Sequence, residues 1–178
     1  MARLVGVVGS RSLPASFAPL VSSLVSLLVE HGYGVASGGA SGADAFALSA
    51  LLGRGAASRS VLFSAWPSVS GFPLAVRPQV ASFLSAGGQV IWGSVVPGSS
   101  RHAVVSGLFA RSRQLVSASC GLVAFLHGPS RGTLFTVRQA LSQGIPVIVF
   151  LCGGGAALPA DLASRCIIFD LSSEARRA

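Results

Sequence analysis

Three glycines, two serines and an aspartate crowd the stretch Ser37-Gly38-Gly39-Ala40-Ser41-Gly42-Ala43-Asp44. Glycine lets a backbone turn sharply and lets a ligand come close to it. The stretch follows a short apolar run, Tyr33 to Ala36, and precedes an Ala/Leu-rich segment, Ala43 to Leu52. A strand that runs through such a loop into a helix leaves free N–H groups at the helix start, which attract phosphate or another anion. Ser41 with Asp44 three residues on fits a capping box, so the helix is expected to begin there. The loop is not a P-loop, since no Gly-Lys-Ser/Thr follows, and it lacks a full G-x-G-x-x-G. A plain turn that needs glycine for its shape explains the same residues.

Two further loops carry comparable chemistry. Gly9-Ser10-Arg11 closes the first apolar run, and Arg11 can offer a guanidinium fork to phosphate. Pro129-Ser130-Arg131-Gly132-Thr133 closes a later one and opens another helix, with Ser130, Gly132 and Thr133 at its start. Arg111 and Arg113 lie two apart on a helical segment and cannot face the same way. Arg113 is the one expected to reach the rim, leaving Arg111 to pair with an acid or with solvent. Asp44 either caps its helix, accepts from a ribose or base, or orients Arg11. His127 reads as structural, and Trp66 and Trp92 as packing residues more than stacking platforms. So few acids allow no paired-carboxylate or Ser-His-Asp arrangement, and the spacing of Cys120, Cys152 and Cys166 fits no metal site. No catalytic residue, metal or cofactor is therefore assigned.

Composition sets the frame. In 178 residues, 51% are hydrophobic and 10% charged, which suits one well-buried domain over 1–178 with a tail at 171–178 expected to fray. The net charge is +8, and every basic residue is Arg, which favours polyanions. The longest uncharged stretches, Pro78 to Ser100 and Gln139 to Ala160, are broken by Gly, Pro, Ser and Gln and do not resemble spanning helices. No secretory h-region stands at the start, and the widely spaced cysteines suit a reducing compartment. The expected setting is cytoplasmic, without membrane contact.

The elements that must position these loops alternate. Strands are expected at Arg3–Val8, Tyr33–Ala36, Ser60–Ala65, Gln89–Gly93, Gly121–Leu126, Ile145–Leu151 and, as an edge, Cys166–Phe169. Helices are expected at Phe17–His31, Ala43–Leu52, Gln79–Ala86, Arg101–Ser119 and Leu134–Ser142. Such alternation implies an α/β, Rossmann-like three-layer α/β/α fold with a mostly parallel sheet. Ligands of such sheets bind beyond the carboxyl ends of the strands, where the order reverses. All three special loops fall at those ends.

Taken in order, these loops resemble the DprA/Smf family of DNA-processing proteins, part of the SLOG group of Rossmann-like folds. Val8-Gly9-Ser10-Arg11 is similar to the family's Gly-x-Arg, and Ser37 to Asp44 to its Ser-Gly-x-Ala-x-Gly-x-Asp. Gly87-Gly88 with Val96-Pro97-Gly98 echoes a mid-chain element. Phe109-Ala110-Arg111-Ser112-Arg113 resembles Phe-Pro-x-Arg-Asn-Arg, and Ser130 to Thr136 resembles Ser-Gly-Ser/Thr-Leu-Ile-Thr. The resemblance implies a self-associating protein that binds single-stranded DNA in a basic pocket and hands it to a recombinase. Several features depart from the family pattern: there is no Lys, Ser112 replaces Asn, and the length leaves no room for the extra domains many members carry. Two alternatives stay open within the same group: a sensor of a small ADP-ribose-like nucleotide, and a LOG-type phosphoribohydrolase. The latter's catalytic Glu is absent, since Phe135, Thr136 and Val137 follow the loop.

Overall fold

The computed structural model describes residues 2–172. Seven strands form one sheet: β1 (Leu4–Gly9), β2 (Gly34–Ser37), β3 (Val61–Phe63), β4 (Gln89–Ile91), β5 (Ser119–Leu126), β6 (Val147–Leu151) and β7 (Ile167–Asp170). Their spatial order is β4-β3-β2-β1-β5-β6-β7. Every pairing is parallel, so the sheet is wholly and not just mostly parallel. The helices are α1 (Ala18–Glu30), α2 (Ala43–Gly53), α3 (Arg77–Ser85), α4 (Arg101–Ser117), α5 (Arg131–Ser142) and the short α6 (Ala160–Ala163).

Alternation within the strands divides the core. Val5 and Val7 of β1, with Val123 and Phe125 of β5, face Val21 and Val25 of α1 and Leu48 and Leu51 of α2. Val8, Leu122, Ala124 and Leu126 face the other way, against Leu115 and Val116 of α4 and Val137 and Ala140 of α5. Side chains of successive strand residues point to opposite faces, so an uninterrupted apolar run feeds both layers at once. The result is the three-layer Rossmann-like arrangement, with α1, α2 and α3 on one face and α4, α5 and α6 on the other.

The strand order reverses between β1 and β5. Their paired ends, Gly9 opposite Phe125, bring the loops that follow both strands side by side. At the far edge, Phe125, Phe150 and Phe169 lie in register on β5, β6 and β7 and stack at 5.0 and 5.1 Å. Of the tail expected to fray, Leu171 is tied down: its N–H donates to the Leu151 carbonyl at 2.8 Å. Residues 173–178 lie outside the described residues. No described helix is long and apolar enough to cross a membrane.

Candidate anion-binding site

A cavity of about 540 Å³ opens where the strand order reverses. Its lining comes from the end of β1 (Gly9, Ser10, Arg11), the loop before α2 (Ala40, Asp44), α4 (Arg101, Phe109, Arg111) and the start of α5 (Ser130, Arg131, Gly132, Thr133). Four of the lining residues are arginines, and Asp44 is the one acid among them. Val105, Leu108 and Leu115 of α4 supply an apolar wall.

The Gly-rich stretch is gathered around Asp44. The Asp44 carboxylate accepts from the N–H groups of Gly38 and Ala40, both at 3.2 Å. Arg111 Nη1 stands 3.8 Å from the same Oδ2 atom. The hollow above Gly38 is filled by the Arg111 guanidinium, and the one above Gly39 by the Phe72 ring. Gly42, at φ +73°, lies against the backbone of Ser10 and Arg11, 2.8 Å from the Arg11 carbonyl oxygen for any added Cβ. Only glycine fits that conformation and that approach. The expected capping box does not form: Gly42 holds the N-cap position without a side-chain hydrogen bond, and Asp44 reaches back into the loop. So Ser37, Gly38, Gly39, Ser41 and Gly42 shape the site from behind, while Ala40 and Asp44 reach its surface.

Burial is the larger influence on both charges of the pair. It raises the Asp44 pKa above 3.8, against the pull of Arg111, the two amides and Arg11. It lowers that of Arg111, against the pull of Asp44. Buried charges persist only when partnered. Asp44 has three partners, whereas Arg111 Nε is buried with no acceptor among the described residues.

The start of α5 is open. Ser130 holds the N-cap position, but its hydroxyl bonds Thr133 Oγ1 at 2.7 Å in place of a helix amide. The Leu134 N–H donates to Ser130, while the N–H groups of Arg131, Gly132 and Thr133 find no acceptor among the described residues. A Cβ added at Gly132 would meet nothing. Three free amides at the positive end of a twelve-residue helix form an anion cradle. Ser10 serves as a latch beside it: the His127 N–H donates to its hydroxyl at 2.9 Å, joining the ends of β1 and β5.

Arg113, expected at the rim, lies elsewhere. It is exposed, and its guanidinium sits 5.3 Å from the Phe135 ring centre, away from the cavity lining. Two residues apart on a helix means about 200° of rotation, and the side of α4 that faces Asp44 belongs to Arg111. The reading from sequence also passed over Arg101 and Arg131. Arg131 was visible between Ser130 and Gly132, and Arg101 directly follows Ser100, whose hydroxyl caps α4 by accepting from the Ala103 N–H at 3.2 Å. No cluster of metal-ligating side chains exists among the described residues.

The family model for DNA recombination-mediator protein A matches residues 1–166, and the chain belongs to that family. No curated protein is matched. Among solved structures, the chain is similar to DNA processing protein A from Helicobacter pylori, a structure described for its single-stranded DNA binding mode. That match has a TM-score of 0.74 at 16% identity, covering 99% of this chain and 80% of that one. It is also similar to DprA from Streptococcus pneumoniae, with a TM-score of 0.70 at 18% identity, covering 99% of this chain and 61% of the other. A molybdenum cofactor carrier protein from Chlamydomonas reinhardtii shares the fold at a TM-score of 0.61 and 18% identity, over 99% and 96% of the two chains.

Proposed function

We propose that this member of the DNA recombination-mediator protein A family binds single-stranded DNA by seating a backbone phosphate in the cavity at the β1–β5 boundary. The carrying observation is the cavity itself: four arginines against one acid, with the three open amides of α5 at its edge. Arg11, Arg101 and Arg131 supply charge from three sides. Arg111 adds a fourth positive charge to the wall, held in place by Asp44. Family membership supports DNA as the polyanion, and the H. pylori relative is described as a binder of single strands.

The apolar wall of Val105, Leu108 and Phe109 suits a base or sugar beside the phosphate. The cavity volume of about 540 Å³ also fits a free nucleotide, which is the second reading. Hydrolysis is disfavoured: the one carboxylate in the lining is engaged by two amides and Arg111, leaving no free base. Self-association in a cytoplasmic setting belongs to the same proposal, and a native mass measurement tests the former.

A titration of a twelve-residue oligothymidylate at several salt concentrations tests the function. Affinity should fall steeply with salt, and Arg11→Ala should weaken binding to all sequences alike. Absence of binding at low salt rejects single-strand recognition. Saturable binding of mononucleotides alone selects the second reading.

A further inference from the structure

Phe109 and Phe135 belong to neither core cluster. They stack on each other at 4.1 Å with 25° between their planes, bridging α4 and α5 outside the core. Arg113 lies over the Phe135 ring of this pair, 5.3 Å from its centre, and Phe109 lines the cavity. Arg101, Phe109 and Arg113 recur at multiples of four residues along α4. Arg131, Phe135 and Arg138 recur at four and three along α5. Those spacings put the α5 set on one face and wind the α4 set around its helix by about 40° per four residues, roughly 120° from Arg101 to Arg113. All four arginines are exposed, and none makes an ion pair among the described residues. Arg101 and Arg131 lie at the cavity, while Arg113 and Arg138 lie outside its lining.

Resting on the reading of the cavity as a phosphate site, we propose that the α4–α5 surface is the path by which a single strand leaves it, with Arg113 and Arg138 contacting backbone phosphates beyond the cavity. Cations bordering aromatic rings suit a strand bound without sequence preference, since phosphates take the charge and any base can lie against a ring. Twelve residues of helix separate Arg101 from Arg113, about 18 Å. That length corresponds to roughly five nucleotides at 3.4 Å spacing, and fewer if the strand is extended. A dinucleotide thus fills the cavity alone, while a twelve-residue strand covers the path as well.

The test compares wild type with the double variant Arg113→Gln/Arg138→Gln, using a 5′-phosphorylated thymidine dinucleotide and a twelve-residue oligothymidylate. For the longer strand, the slope of log affinity against log salt should lose about 1.4, the value for two single-strand phosphate contacts. At 0.1 M salt the affinity should fall roughly twenty-fold. Dinucleotide affinity and melting temperature should stay unchanged. An unchanged slope for the long strand overturns the path, as does an equal loss for both ligands. So does quenching of Trp66 or Trp92 by the long strand with an unaltered slope, because it puts the strand on the β3–β4 side. If wild type binds neither ligand, the cavity reading falls together with the path.

Discussion

Arg111 Nη1 stands 3.8 Å from Asp44 Oδ2, in the space above Gly38 that any side chain at that position would occupy. The three residues form one device. Gly38 leaves room for the guanidinium, the guanidinium neutralises the carboxylate, and the carboxylate gathers the loop by its amides. Truncating Asp44 takes the acceptor away from two loop amides and leaves them unpaired. Asp44→Ala should therefore destabilise the protein by about 3 kcal/mol in urea unfolding. Gly38→Ala pushes Arg111 out of the same space and should cost about 2 kcal/mol. Binding of oligothymidylate should weaken in both variants at temperatures where they stay folded.

Acidity should strengthen both fold and site through Asp44. Its native pKa lies above the ordinary 3.8 because of burial. The folded state then holds the proton more tightly than the unfolded one, so the contribution of Asp44 to stability is smallest above the native pKa. It grows as pH falls through that value and levels off below 3.8. Unfolding of wild type and Asp44→Asn between about pH 7 and pH 4 should show their difference shifting in favour of wild type as acid is added. The same protonation removes the one carboxylate in the cavity lining. Sulfate, whose own charge is constant over this range, should bind more tightly at lower pH.

The fold was legible because its signal is periodic. Apolar runs such as Val5 to Val8 and Leu122 to Leu126 cannot be exposed on either side, and their alternation with helical spacing requires a covered parallel sheet. The loops at the carboxyl ends followed from that. What sequence left undecided is which way each loop turns its charges. Asp44 reads equally well as a helix cap or a ligand contact, and the choice depends on Arg111, far along the chain, arriving over Gly38. Arg111 and Arg113 are chemically identical in the sequence. They are separated only by the rotation of α4, set by the burial of Ser112, Leu115 and Val116.

Thiol chemistry offers a check that does not depend on any ligand. Cys152 is fully buried at the end of β6, and burial pushes its thiol up to about 12. Only the thiolate attacks a disulfide reagent, so Cys152 should stay unlabelled in the native protein at neutral pH. Cys120 and Cys166 are partly exposed and should label first. Mass spectrometry after a short exposure should find Cys152 modified only when denaturant is present. Labelling of Cys152 in native protein would contradict the packing of β6 against its neighbours.

The start of α5 lets fold and binding be separated in one residue. Gly132 has open space where a side chain would begin, and it lies in the first turn of the helix. Replacing a helical glycine gains up to about 1 kcal/mol of helix preference, and a carboxylate there favours the positive end of the helix by about 0.5 kcal/mol. Gly132→Glu should therefore leave the melting temperature equal or higher. It also sets a negative charge among the amides of Arg131, Gly132 and Thr133 and beside the four arginines, where a phosphate would sit. Affinity for oligothymidylate should drop by a hundredfold or more if one charge-assisted phosphate contact of about 3 kcal/mol is lost. Gly132→Ala, with the same backbone effect and no charge, should stay within a few-fold of wild type. Full binding by the Glu variant with a raised melting temperature would show that the anion sits elsewhere.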